Sequence, residues 1–134
     1  MALHDEHQVT KNQNFKQALG HALRGIYHSF CRERNLKIQL AFAVLALVMG
    51  MIFEIASYEW LVILAVIFFV FISELLNSAI EAVVDLATAG QYHHLAKRAK
   101  DAAAGAVLLA AVLALIVGAI IFTPYVMAWL QAGS

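Results

Sequence analysis

From residue 102 to residue 134 the sequence carries no charged side chain, and residues 102–122 are almost entirely Ala, Val, Leu and Ile. A helix needs about 20 apolar residues to cross the roughly 30 Å hydrocarbon core of a bilayer, and this run is long enough by itself. Two more uncharged runs precede it, 38–53 (IQLAFAVLALVMGMIF) and 60–73 (WLVILAVIFFVFIS). The first reaches spanning length when extended to about residues 36–56, with Lys37 and Glu54 near its ends. The second leaves the membrane through the more polar stretch that continues to about residue 87. The expectation is an all-α membrane protein with transmembrane helices over about 36–56, 60–87 and 94–122. A water-soluble helical bundle is disfavoured, because nothing polar covers residues 102–122.

Composition agrees. Of 134 residues 63% are hydrophobic and 13% charged, half the charged fraction of an ordinary soluble domain, and mean hydropathy is +0.77. The length suits one membrane domain over 1–134. Zero formal net charge gives no reason to expect a nucleic-acid partner. A lone cysteine, Cys31, excludes an internal disulfide and a cysteine metal cluster. The first 37 residues lack the apolar core of a secretory signal.

The charges are ordered along the chain. Lys11, Lys16, Arg24, Arg32, Arg34 and Lys37 precede the first span, and Lys97, Arg98 and Lys100 precede the third; no other Lys or Arg occurs. Basic and non-basic ends therefore alternate through three crossings, which predicts a cytoplasmic N-terminus and a C-terminus outside. Tyr58, Trp60 and Trp129 suit the outer interfacial belt. In residues 14–34, Phe15, Leu19, Leu23, Ile26, Tyr27 and Phe30 recur at helical spacing, with Lys16, Arg24, His28 and Arg32 largely between them. This predicts an amphipathic helix lying at the membrane surface. Residues 1–13 read as a flexible tail. Lys97 and Arg98 read as topology signals, His94 as an exposed loop residue, and Gly90 as the end of the second span.

The second span carries the chemistry. Glu74, Asn77, Glu81 and Asp85 follow at spacings of three, four and four. At helical periodicity they fall within an arc of about 80° and form a stripe about 16 Å long. A carboxylate inside a bilayer costs several kcal/mol unless it is paired, metal-bound or protonated, so the stripe must face protein or water. Three uses fit: a polar seam between helices, a proton or cation pathway in a small oligomeric transporter or channel, or a divalent-metal site. Three like charges argue against a simple seam. Glu33 stands just before the first span between Arg32 and Arg34, and Lys100 and Asp101 just before the third apolar run. Carboxylates for Mg²⁺ and cations for phosphate, all on the cytoplasmic side, are the parts phosphoryl transfer requires. No Walker A or protein-kinase signature is present, so a nucleotide site would be built differently.

The string Glu74-Leu-Leu-Asn-Ser-Ala-Ile-Glu-Ala-Val-Val-Asp85, followed by His93 and by Ala99-Lys-Asp101, resembles the bacterial integral-membrane diacylglycerol kinase and undecaprenol kinase family over roughly residues 14–125. The resemblance implies a homotrimer in the bacterial plasma membrane, each protomer with a surface helix and three spans. It implies active sites between protomers that use ATP and Mg²⁺ to phosphorylate a lipid hydroxyl. Carried over by motif, Glu74 matches the general base and Asn77 the amide beside it. Glu33 and Glu81 match the pair holding the metal on ATP. Asp85, His93, Lys100 and Asp101 match positions lining the nucleotide site. The sequence departs at Asn14, where some members have a nucleotide-contacting Arg, and at His21, where some have Tyr. Lys-Asp-x-Ala-Ala-Gly-Ala-Val at 100–107 looks like the undecaprenol group, so the resemblance favours undecaprenol over diacylglycerol as substrate.

Overall fold

The computed structural model describes residues 14–133 and holds four helices: α1 (Phe15–Arg32), α2 (Arg34–Ile52), α3 (Ser57–Thr88) and α4 (His94–Ala132). The tail read over 1–13 lies outside the described residues. The chain divides after Arg32 into two compact units, one holding α1 and the other α2 to α4. In α1 the Asn14 side chain accepts the Gln17 backbone N–H at 2.9 Å and caps the helix. No residue of α1 is buried; Phe15, Leu23 and Tyr27 are all exposed along the apolar stripe.

Helices α2, α3 and α4 are each long and apolar enough to cross a membrane. Most of their buried positions recur every seven residues. Leu36, Ala43 and Gly50 line α2; Ile63, Val70 and Asn77 line α3, joined by Glu74; Ala103 and Ala110 line α4. Heptad spacing makes a continuous seam between nearly parallel or antiparallel helices. The small residues on α2 and α4 let backbones approach where apolar burial gives little drive inside lipid. α3 packs most extensively against α4 and less against α2. A cluster of Ile55, Ile63, Ile121 and Phe122 closes one end of this unit, with Trp60, Phe53 and Tyr125 against it. Side chains on the outer faces, such as Leu61, Phe68, Leu109 and Ile120, stay exposed, as lipid contact requires.

The helix ends differ from the sequence expectation for local reasons. α2 stops at Ile52 rather than 56 because Glu54 turns left-handed (φ 50), with Glu54 N–H on Met51 O and Ile55 N–H on Gly50 O. This is a Schellman stop with buried Ile55 folded back on the helix. α3 starts at Ser57 rather than 60, because the Glu59 carboxylate accepts the Ala56 backbone N–H at 2.9 Å. At its other end the left-handed residue is Ala89 (φ 48), and Gly90 (φ 75) follows it, so the stop read at Gly90 falls one residue earlier. Gly90 N–H bonds Asp85 O and Ala89 N–H bonds Leu86 O, a second Schellman motif. α4 does not end before Pro124 but continues to Ala132. Its last turns are held by Tyr125, whose hydroxyl donates to Glu59 at 2.6 Å and whose ring stacks on Phe53.

Candidate active site

Along α3 the polar stripe passes from full burial to full exposure. Glu74 is 1% exposed and Asn77 9%, Glu81 is half-buried, and Asp85 is exposed. The face that carries them is the face packed on the other helices, which is where the cost of an intramembrane carboxylate puts it.

Each member of the stripe has a defined partner. Gln39 of α2 donates its Nε2 to Glu74 Oε2 at 3.0 Å. Asn77 donates its Nδ2 to Glu81 Oε1 at 3.3 Å, one helical turn on. Lys100 of α4 meets Asp85 Oδ1 at 2.5 Å and ties the exposed ends of α3 and α4 together. This pair at one end and Glu59–Tyr125 at the other fix the antiparallel register of α3 on α4, with Glu74 about level with Ala110 and Ala111.

Three polar atoms around this stripe are buried without a partner: Gln39 Oε1, Asn77 Oδ1 and Ser78 Oγ. A buried polar atom left unpaired costs about 1–3 kcal/mol, so these three acceptors call for donors or a cation from outside the chain, water included. The oxygens of Asn77 and Glu81 are hard donors of the kind Mg²⁺ takes, and one or two carboxylates suffice when phosphates complete the shell. Among the described residues no group of three or more His, Cys, Asp or Glu gathers closely enough to hold a metal by itself.

The structure brings Glu74, Asn77, Glu81, Asp85 and Lys100 into one connected stripe. It does not join the other expected members to it by hydrogen bond or ion pair. Glu33 is the N-cap residue of α2, half-buried, with no capping bond from its side chain. His93 caps α4, its Nδ1 accepting the Leu95 N–H at 3.2 Å, and its ring stacks on His94. Asp101 pairs with Lys97 one turn away on the same helix. Gln39 lies outside the motifs that the sequence offers as site residues. It is the one polar residue in the run 38–53, three residues after buried Leu36 and four before buried Ala43. A lone amide at a heptad seam position was the available signal.

Residues 20–122 match the family model described as prokaryotic diacylglycerol kinase. The chain belongs to the prokaryotic diacylglycerol kinase family. It is 44% identical over 119 residues to the undecaprenol kinase of Bacillus subtilis, covering 89% of this chain and 95% of that protein. It is 39% identical over 111 residues to a diacylglycerol kinase of Synechocystis, covering 83% of this chain and 63% of that one. The diacylglycerol kinase of Escherichia coli is 33% identical over 100 residues, covering 75% of this chain and 81% of its own length. A chain of this family with three helices of membrane-crossing length is a multi-pass membrane protein and a lipid kinase.

Proposed function

We propose that this protein transfers the γ-phosphoryl group of ATP, with Mg²⁺, to the hydroxyl of a membrane lipid alcohol, and that undecaprenol is preferred to diacylglycerol. The observation that carries this reading is the graded stripe, a fully buried carboxylate at Glu74 continuous with half-buried Glu81 and with the exposed Asp85–Lys100 pair. The greater identity to an undecaprenol kinase, 44% against 33% and 39% for two diacylglycerol kinases, supports the substrate preference.

Taking Tyr58 and Trp60 as the outer boundary, a core of about 20 residues ends near residue 79. Glu74 then lies inside the inner hydrocarbon region and Asp85 among the headgroups, with the N-terminus cytoplasmic and the C-terminus outside. The lipid hydroxyl approaches Glu74 from the bilayer, and the ATP phosphates approach Glu81 from water. The hydroxyl oxygen bonds to the γ-phosphorus, the bond from that phosphorus to the ADP oxygen breaks, and the hydroxyl proton passes to the Glu74 carboxylate. Asn77 orients Glu81 without adding charge. Glu81 and Glu33 would hold the metal, and a divalent cation there would supply charge neutralisation for the phosphates. Lys100 and Asp85, with His93 and Asp101, border the nucleotide. α1 lies at the cytoplasmic interface, and three protomers assemble so that sites form between them.

The test is competition. Undecaprenol and diacylglycerol are offered together in one mixed micelle with labelled Mg·ATP, and the products are separated. The expected result is an excess of undecaprenyl phosphate. Predominant labelling of phosphatidic acid reverses the substrate preference while leaving the phosphoryl transfer intact.

A further inference from the structure

An apolar cavity of about 560 Å³ opens between α2, α3 and α4, and Gln39 is the one polar side chain among the described residues lining it. Gln39, Phe71 and Ala111 mark its end nearest Glu74; Met49, Ile63 and Phe122 mark its far end. Ile63 and Phe122 are buried there within the cluster that closes the helix bundle, so the cavity has a floor. From Ala111 to Phe122 its length is about 16 Å at the helical rise, roughly half the hydrocarbon core.

Gln39 faces two ways. Its Nε2 is committed to Glu74, and its Oε1 is buried with no donor. A buried acceptor at the polar end of an otherwise apolar cavity, beside a carboxylate, suits a molecule with one hydroxyl and a hydrocarbon chain. Resting on the function proposed above, we infer that this cavity seats the first stretch of the single prenyl chain of the lipid alcohol. Gln39 is the positioning residue at its mouth. Its Nε2 holds one oxygen of Glu74 and leaves the other free, and its Oε1 receives the incoming hydroxyl. Rotation about the alcohol C–O bond then turns the same proton from Gln39 to Glu74. The floored length makes the cavity a gauge: chain beyond about 16 Å leaves it for the bilayer and adds no further contact.

The experiment measures kcat/KM for isoprenoid alcohols of increasing length, up to undecaprenol, in mixed micelles at saturating Mg·ATP. The wild-type protein should show kcat/KM rising with each isoprene unit until the cavity is filled and level thereafter. Gly118 lines the cavity, and a Cβ added there meets nothing within 4 Å. Gly118→Phe should fill part of the space, move the levelling to shorter alcohols and lower the ratio of long-chain to short-chain kcat/KM by about tenfold or more. Leu113→Phe, on the same helix but outside the cavity, should leave the profile alone. Gln39→Leu should lower kcat by roughly 10- to 100-fold with KM for ATP unmoved, and Gln39→Asn should restore part of that loss. A second measurement needs no variant: a prenyl alcohol with a photoreactive group partway along its chain should label the segments around Met49 and Phe122 in the wild-type protein. Labelling confined to outward residues such as Phe68 and Leu109, or a length profile that Gly118→Phe does not shift, overturns the inference. Loss of the oligomer in Gly118→Phe together with absent photolabelling assigns the cavity to a second copy of the chain and overturns it too. If Glu74→Gln is inactive while the length profile fails, only the cavity assignment falls; an active Glu74→Gln removes the reading beneath it.

Discussion

At the residue scale, the site is a set of polar atoms whose partners are mostly supplied and in three places missing. Glu74 and Asn77 are buried and Gln39 is half-buried at seam positions where apolar side chains would pack with less cost, and the unpaired Gln39 Oε1, Asn77 Oδ1 and Ser78 Oγ add to that cost. If these residues carry the proposed chemistry at a cost in stability, Asn77→Leu should raise the unfolding free energy, or leave it unchanged, while abolishing turnover. Chemical unfolding in mixed micelles, measured beside lipid phosphorylation, separates the two effects. Glu81→Ala should raise the Mg²⁺ requirement and weaken ATP together, since metal and phosphates bind as one unit. Titration of activity with Mg²⁺ at several ATP concentrations reads this; a change in KM for the lipid alone would contradict it.

At the element scale, the helices are set by their stops and by one close approach. Gly50 faces Trp60: a Cβ there would lie 2.8 Å from the indole ring and 3.1 Å from Ile55. Gly50→Ala should therefore destabilise by about 1–3 kcal/mol, as overpacking does, despite the better helix propensity of Ala. Ala89, left-handed at φ 48, should respond in the opposite sense. Ala89→Gly relieves a conformation costing an L-residue about 1–2 kcal/mol and should raise the midpoint of unfolding. The existence and order of the helices were legible in the uncharged runs, and the acidic stripe in the spacing of Glu74, Asn77, Glu81 and Asp85. The ends were less legible. Nothing in the composition around Glu54 marks a left-handed residue, and Gly90 marks the other stop only to within one residue, because non-glycine stops depend on the carbonyls behind them. The continuation of α4 through Pro124 depends on Tyr125 reaching Glu59, a contact 66 residues apart in sequence that no local pattern shows. Gln39 was hidden for the same reason: its importance comes from Glu74, on another helix.

At the scale of the whole molecule, the proposed topology and assembly make further demands. Cys31 is the sole cysteine and is exposed, so it reports the side on which α1 lies. A membrane-impermeant maleimide should label it in inside-out vesicles and not in right-side-out ones; the reverse pattern would invert the orientation. If sites form between protomers, mixing Glu74→Gln with Glu81→Ala chains should recover part of the activity when base and metal ligand come from different subunits. No recovery in trimers with proven subunit exchange places each site within one chain. The proposed phosphoryl transfer rests on one buried carboxylate receiving the proton of a lipid hydroxyl. Its most direct test is the turnover of purified Glu74→Gln with undecaprenol and labelled Mg·ATP. Glutamine keeps the size and the hydrogen bonding but lacks the basic oxygen, so kcat should fall by at least ~100-fold while nucleotide binding stays as in the wild type. Near-normal turnover by Glu74→Gln would contradict the account.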